Sequence, residues 1–213
     1  MAAPTPLTAS EVPGKLCAED RRIVAEGFNA LRETKASPRQ SGLRIVDTLD
    51  SRFIFTVSNP TNVSVKHLRS LHLKLQNTKH VVLDMPRASI SIECWRSNWK
   101  KKRGGGKKRR RPVEAVSELP AYLVRAIEGA QSETEREAIE AVLMWVLNRD
   151  EDFCTFDAEL TLDESKNMYT LRMENFDAVT ADFLFELSDQ WRSLVKDAIV
   201  EWSSQALILC LQF

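Results

Sequence analysis

The chain has 213 residues, 43% of them apolar and 8% aromatic, which is enough for a packed core in one large or two small domains. Its 30 Lys and Arg offset 30 Asp and Glu, yet residues 1–95 carry a net +4, residues 96–111 a net +10 and residues 112–213 a net −14. No apolar run approaches the roughly 18 residues of a membrane span and the start has no apolar signal core, so a soluble intracellular protein with no membrane partner is expected.

Residues 1–16 contain prolines at positions 4, 6 and 13 and little apolar periodicity, and read as a disordered leader. From Ala18 to Thr34, Ile23, Val24, Phe28 and Leu31 recur at helical spacing. Two strands follow, Leu43–Thr48 and Arg52–Ser58, the second alternating Phe53, Phe55 and Val57 with polar neighbours. A second helix, Ser64–Asn77, carries Leu68, Leu71 and Leu75. A hairpin then pairs HVVLDM with SISIECW across Pro86, Arg87 and Ala88.

Beyond the basic run, Ser117–Gly129 predicts a short helix with Pro120 in its first turn. Ser132-Glu133-Thr134-Glu135 is a capping box opening a helix through Ile139, Val142, Leu143, Val146 and Leu147. A hairpin over DAELTLDESKNMYTLRME, a helix Thr180–Lys196 and a final strand Ala206–Phe213 complete the chain.

A shift of 116 positions superposes residues 18–97 on 134–213 without a gap, with 11 of 80 positions identical and the alternation of Phe53, Phe55 and Val57 matching Tyr169, Leu171 and Met173. The expected fold class is therefore α+β: two diverged helix-hairpin-helix-hairpin repeats with antiparallel sheets, joined by a basic linker. The expected domains are the leader, a first repeat over 17–97, a linker over 98–116 and a second repeat with its extra helix over 117–213. The helix-hairpin-helix section from Ser132 to Ile199 resembles, over about 65 residues, the small dimerising subunit of the KEOPS tRNA-modifying assembly. The chain lacks that family's leading strand and has an extra hairpin, so the resemblance implies architecture alone.

The clearest functional signal is RSNWKKKRGGGKKRRR, residues 96–111, with ten basic residues and no acid. Lys100, Lys101, Lys102 and Arg103, then Lys107, Lys108, Arg109, Arg110 and Arg111, form two clusters of the kind read by a nuclear-import receptor. Self-repulsion and the Gly104–Gly106 triplet keep such a segment extended. The same charges neutralise phosphates of RNA or DNA without sequence choice. Trp99, set among polar and basic neighbours, is the candidate for stacking on an unpaired base, whereas Trp95, ending a strand, reads as sheet cover.

Other constellations are weaker. Cys17, Cys94, Cys154 and Cys210 stand singly, so reduced thiols are expected rather than a metal site. His67 and His72 are five apart on one helix, off the i, i+4 spacing a shared ion wants, and His80 stands apart. Asp150, Glu151, Asp152, Asp157, Glu159, Asp163 and Glu164 make an acidic patch without calcium-loop spacing, read as a solvated face or a dock for a basic partner. No phosphate loop or nucleophile elbow occurs. The expectation is a non-catalytic nuclear accessory or scaffold protein, without cofactor or metal. The alternative is a protein-interaction subunit of a nuclear complex in which the basic run is only an address.

Overall fold

The computed structural model describes residues 5–32, 41–49, 51–75, 77–97, 118–149 and 156–213, with backbone alone for 47–49. Helix α1 (Ala18–Leu31) begins where Cys17 turns extended and its Sγ accepts the Asp20 amide at 3.4 Å. Its apolar stripe buries Ile23, Val24, Phe28 and Leu31. Residues 5–16, read as a leader, lie against it: Asn29 exchanges two hydrogen bonds with the Leu7 backbone at 2.9 and 2.8 Å, and Val12 and Leu16 are buried.

Strands β1 (Gly42–Leu49) and β2 (Arg52–Ser58) form a hairpin, and β2 buries every second residue, Phe53, Phe55 and Val57. The chain then turns through Asn59, held at a left-handed φ of 48°. Asparagine tolerates that conformation better than most side chains. The turn delivers β3 (Val63–Ser64) and helix α2 (Val65–Lys74), whose N-cap Ser64 accepts the His67 amide at 3.3 Å. Strands β4 (Thr78–Asp84) and β5 (Ser89–Trp95) close the first half as a second hairpin.

The second half opens with the short helix α3 (Ala121–Ala126) behind Pro120. Helix α4 (Glu133–Arg149) starts at a reciprocal capping box: Ser132 Oγ accepts the Glu135 amide at 3.2 Å, and Glu135 Oε2 accepts the Ser132 amide at 2.9 Å. Strands β6 (Asp157–Asp163) and β7 (Met168–Glu174) pair, and Asn175, at a φ of 69°, redirects the chain as Asn59 did. Strand β8 (Ala178–Thr180) leads into α5 (Ala181–Gln190), where Thr180 Oγ1 accepts the Phe183 amide at 3.1 Å. Strands β9 (Val195–Glu201) and β10 (Ala206–Leu211) finish the fold.

These strands make two five-stranded antiparallel sheets, ordered β1-β2-β5-β4-β8 and β3-β9-β10-β7-β6. Each sheet is completed by a strand from the other half of the chain. Leu83 pairs with Val179 and Val82 with Thr180 in the first sheet; Val63 pairs with Val200 and Ser64 with Ile199 in the second. Further bonds lock the exchange, including Trp202 Nε1–H to the Thr61 carbonyl at 2.8 Å and the Met85 amide to the Asp177 carbonyl at 2.9 Å. Helices α2 and α5 pack together across the seam, where Arg69 pairs with Asp189 at 2.6 Å and lies over the Phe185 ring at 5.4 Å. Buried side chains from both halves form one cluster.

This architecture corrects the expected fold class. The described residues form a mixed α+β body built on two five-stranded sheets, with five α-helices of 6 to 17 residues, and not two helix-hairpin repeats. The expectation fails because β3 and β8 are two and three residues long, too short to show a period, and each hydrogen-bonds outside its own half. The expected helix Thr180–Lys196 is also too long. It stops at Gln190, and VKDAIVE is strand β9, its backbone taken up by β10 on one side and β3 on the other.

Gly27 fixes how closely α1 meets this frame. A Cβ added there would stand 2.6 Å from Phe55 Cζ and 3.3 Å from Leu75 Cδ1, both buried. Alanine is the better helix former by about 1 kcal/mol, but overpacking of this kind costs about 1–3 kcal/mol. In urea unfolding, Gly27→Ala should lower stability, and adding Phe55→Leu should return part of the loss. A Gly27→Ala protein more stable than its parent would contradict this packing.

Candidate nucleic-acid interface

Sequence reasoning places the functional segment between β5 and α3. All of its named residues, Trp99, Lys100, Lys101, Lys102, Arg103, Lys107, Lys108, Arg109, Arg110 and Arg111, lie outside the described residues. The described ends are Ser97 and Glu118. The surface that carries the first end follows from the strand register.

Register puts Ile92, Cys94, Phe53 and Phe55 on the buried face of the first sheet, leaving Arg44, Arg52, Glu93 and Trp95 on its outer face. A register shift between Thr78 and His80 breaks the alternation of β4 there. Lys79 lies over the Trp95 ring at 5.5 Å and donates to both Glu93 oxygens at 3.1 Å. Arg52 lies over the same ring at 5.7 Å and donates to Glu93 Oε1 at 2.6 Å. Two cations therefore share one carboxylate and one indole where the basic run departs. Trp95 is half-buried sheet cover with cations already on its ring.

The departing backbone is itself anchored. Asp20, 1% exposed, accepts the Ser97 amide at 2.9 Å and the Ser97 hydroxyl at 2.7 Å through one oxygen. Its other oxygen is buried without a hydrogen-bond partner among the described residues. Asn77 Nδ2 donates to Ser97 Oγ at 3.2 Å, and the Arg96 amide to the Ser51 carbonyl at 3.0 Å. Residues from α1, the β1–β2 turn and the turn before β4 thus hold the first residues of the basic run in place.

The acidic patch has a different home. Asp150, Glu151 and Asp152 lie outside the described residues, but register places Asp157, Glu159 and Asp163 on the outer face of the second sheet. Glu174, Asp197 and Glu201 join them from β7 and β9. Arg172 bridges Glu174 at 2.6 Å and Glu201 at 2.7 Å, and Lys166 meets Asp163 at 2.7 Å. The Ser204 hydroxyl, and then Arg172, hold the Glu201 carboxyl below its ordinary range. Hydrogen bonds from Lys166 and Ser165 draw Asp163 down to about 2.

The histidines are dispersed. His67 and His72 lie on α2, where His72 meets Phe185 edge-on at 6.1 Å, and His80 on β4 stands 3.8 Å from Asp182. Among the described residues, no group of three or more His, Cys, Asp or Glu side chains is placed to hold a metal ion. Cys17, Cys94 and Cys210 are free thiols, and burial pushes Cys94 up to about 12, so it stays protonated.

Sequence reasoning missed Asp20, Arg52 and Lys79. Nothing local marks them, since Asp20 reads as an ordinary first-turn acid, Arg52 as a solvent-facing strand position and Lys79 as lying just ahead of the expected strand. Comparison of the chain with protein-family models, with curated proteins and with solved structures finds no match in any of the three. The resemblance to the KEOPS subunit therefore carries no functional assignment.

Two expected outcomes test this surface. Asp20→Ala strands the Ser97 amide and hydroxyl and should cost about 1–3 kcal/mol in urea unfolding, with faster amide exchange at Ser97. Asp20→Asn keeps an acceptor and should cost less; no loss on Asp20→Ala would mean that the Ser97 bonds contribute nothing. For Glu201, whose folded pKa lies below the ordinary 4.5, the stabilisation is complete above that value and is lost as pH falls through the folded pKa. Ser204→Ala should flatten this acid limb of a stability–pH profile, and an unchanged limb would argue against the assignment.

Proposed function

We propose that the protein is a non-catalytic nuclear accessory or scaffold subunit that associates with RNA or DNA through residues 96–111. The observation that carries this reading is ten basic residues in sixteen with no acid among them. Its support is physical: displacing counterions from a phosphate backbone gives sequence-independent affinity that grows with the number of cations. Lys100–Arg103 and Lys107–Arg111 supply the phosphate contacts and the import address, and Trp99 the stacking surface. The anchored Ser97 and the neighbouring Arg52, Lys79 and Trp95 cluster give that segment a fixed root. Nuclear localisation follows from the same clusters, through an import receptor.

A second reading draws on the acidic outer face of the second sheet. Asp157, Glu159, Asp163, Glu174, Asp197 and Glu201 share a surface on which Arg172, Lys166 and Lys66 offset part of the charge. A protein-interaction subunit would use that face for a basic partner within a nuclear complex, with residues 100–111 as address alone.

The test is affinity for labelled single-stranded RNA and duplex DNA across a salt series, beside a full-length variant with the basic residues of 100–111 changed to Gly and Ser. The expected result is binding that weakens by about 10³-fold or more between 50 and 200 mM salt, and that the variant loses together with nuclear accumulation of a reporter fusion. Absence of binding by the parent protein, with import intact, would replace this reading by the second.

A further inference from the structure

The seam between the two halves of the chain is polarised. Three ion-pair contacts cross it: Lys66 with Asp197 at 3.7 Å, Arg69 with Asp189 at 2.6 Å and the His80 imidazole with Asp182 at 3.8 Å. In each, the basic side chain comes from the first half and the carboxylate from the second. The charge of the whole chain divides the same way, with a net +4 over residues 1–95 and −14 over residues 112–213.

Different contacts hold the halves together and choose between partners. Two residue pairs join β3 to β9 and three join β8 to β4, and Val63, Leu83, Val179 and Val200 are buried where these strands meet. Strand pairing and apolar burial discriminate little between similar partners, whereas facing charges discriminate strongly. The shift of 116 positions that relates the halves puts Phe185 in the place of Arg69, Asp182 in that of Lys66 and Asp189 in that of Leu73. A first half paired with another first half would therefore set two Arg69 guanidiniums together and Lys66 beside His80. It would also put the Leu73 side chain where Arg69 now meets the Asp189 carboxylate. Like charges brought together in this way oppose such a pair.

We infer that the seam is a recognition surface whose partner is the acidic second half of this chain, supplied by the same molecule or by a second copy, whether or not residues 98–117 join the two. Exchange of an identical element between copies is a low-cost route to a closed dimer, and two copies that exchange halves make two seams of this kind. The inference takes no contact from residues 98–117 and stands apart from the proposed polyanion binding.

The test uses the full-length protein with Gly104–Gly106 replaced by the recognition sequence of a site-specific protease, cut to completion as judged on a denaturing gel. By size-exclusion chromatography with light scattering, the cut protein should remain one particle of the parental mass, with its two fragments in equal amounts. Cut protein prepared with and without a ¹⁵N label is then mixed and held in urea just below the unfolding midpoint. Native mass spectrometry should find particles with one labelled and one unlabelled half, each containing one first half and one second half. Arg69→Asp should speed this exchange about two- to fivefold, and adding Asp189→Arg should slow it again. Fragments that separate on cutting would overturn the inference. So would particles made of two first halves, an absence of mixed particles, or Arg69→Asp halves that exchange no faster than the parent's.

Discussion

The backbone amides and carbonyls of β3 and β8 are the groups on which this architecture depends. Buried main-chain groups left without partners each cost free energy comparable to a lost hydrogen bond, and these two short strands find partners only on the opposite half of the chain. Ser64 and Thr180 each end such a strand and also cap the helix that follows. One residue therefore fixes both where the chain crosses and where the next helix begins. From this follow the packing of α2 against α5, the seat of α2 on β9 and of α5 on β4, and the single buried cluster.

The crossing also arranges the surfaces. α2 and α5 reach the far half's sheet while α1 and α3 pack on strands of their own half, and the outer faces left to solvent differ in character. The first sheet's outer face gathers Arg52, Lys79 and Trp95 at the root of the basic run. The second sheet's outer face gathers carboxylates, with Arg172 and Lys166 offsetting part of their charge. A neutral net charge thus conceals two outer faces of different charge.

Much of the local structure was legible in the amino-acid sequence. The alternation of Phe53, Phe55 and Val57 predicts β2 over the residues that form it, and the capping box at Ser132 opens α4 where its hydroxyl and carboxylate say it should. The caps Ser64 and Thr180, the hairpin through residues 86–88 and the short helix behind Pro120 follow from side chains that satisfy or punctuate a few neighbouring backbone groups. The basic run needs no structure to be recognised, since charge density is a property of composition alone.

The pairings were decided only by the tertiary structure. The expected helix runs on to Lys196, yet Val195–Glu201 becomes β9 because the adjacent β10 and the distant β3 take up its hydrogen bonds. Strands of two or three residues carry no period, so β3 and β8, and with them the exchange that overturns a repeat-by-repeat fold, leave no signal in the sequence. Asp20 reads as a first-turn acid until the fold brings Ser97 to it. Sequence thus determined what neighbouring residues satisfy among themselves, through caps, turns and alternation. The fold decided what segments far apart in the chain must satisfy for one another, because backbone pairing and burial are settled by whichever partner the whole chain brings within reach.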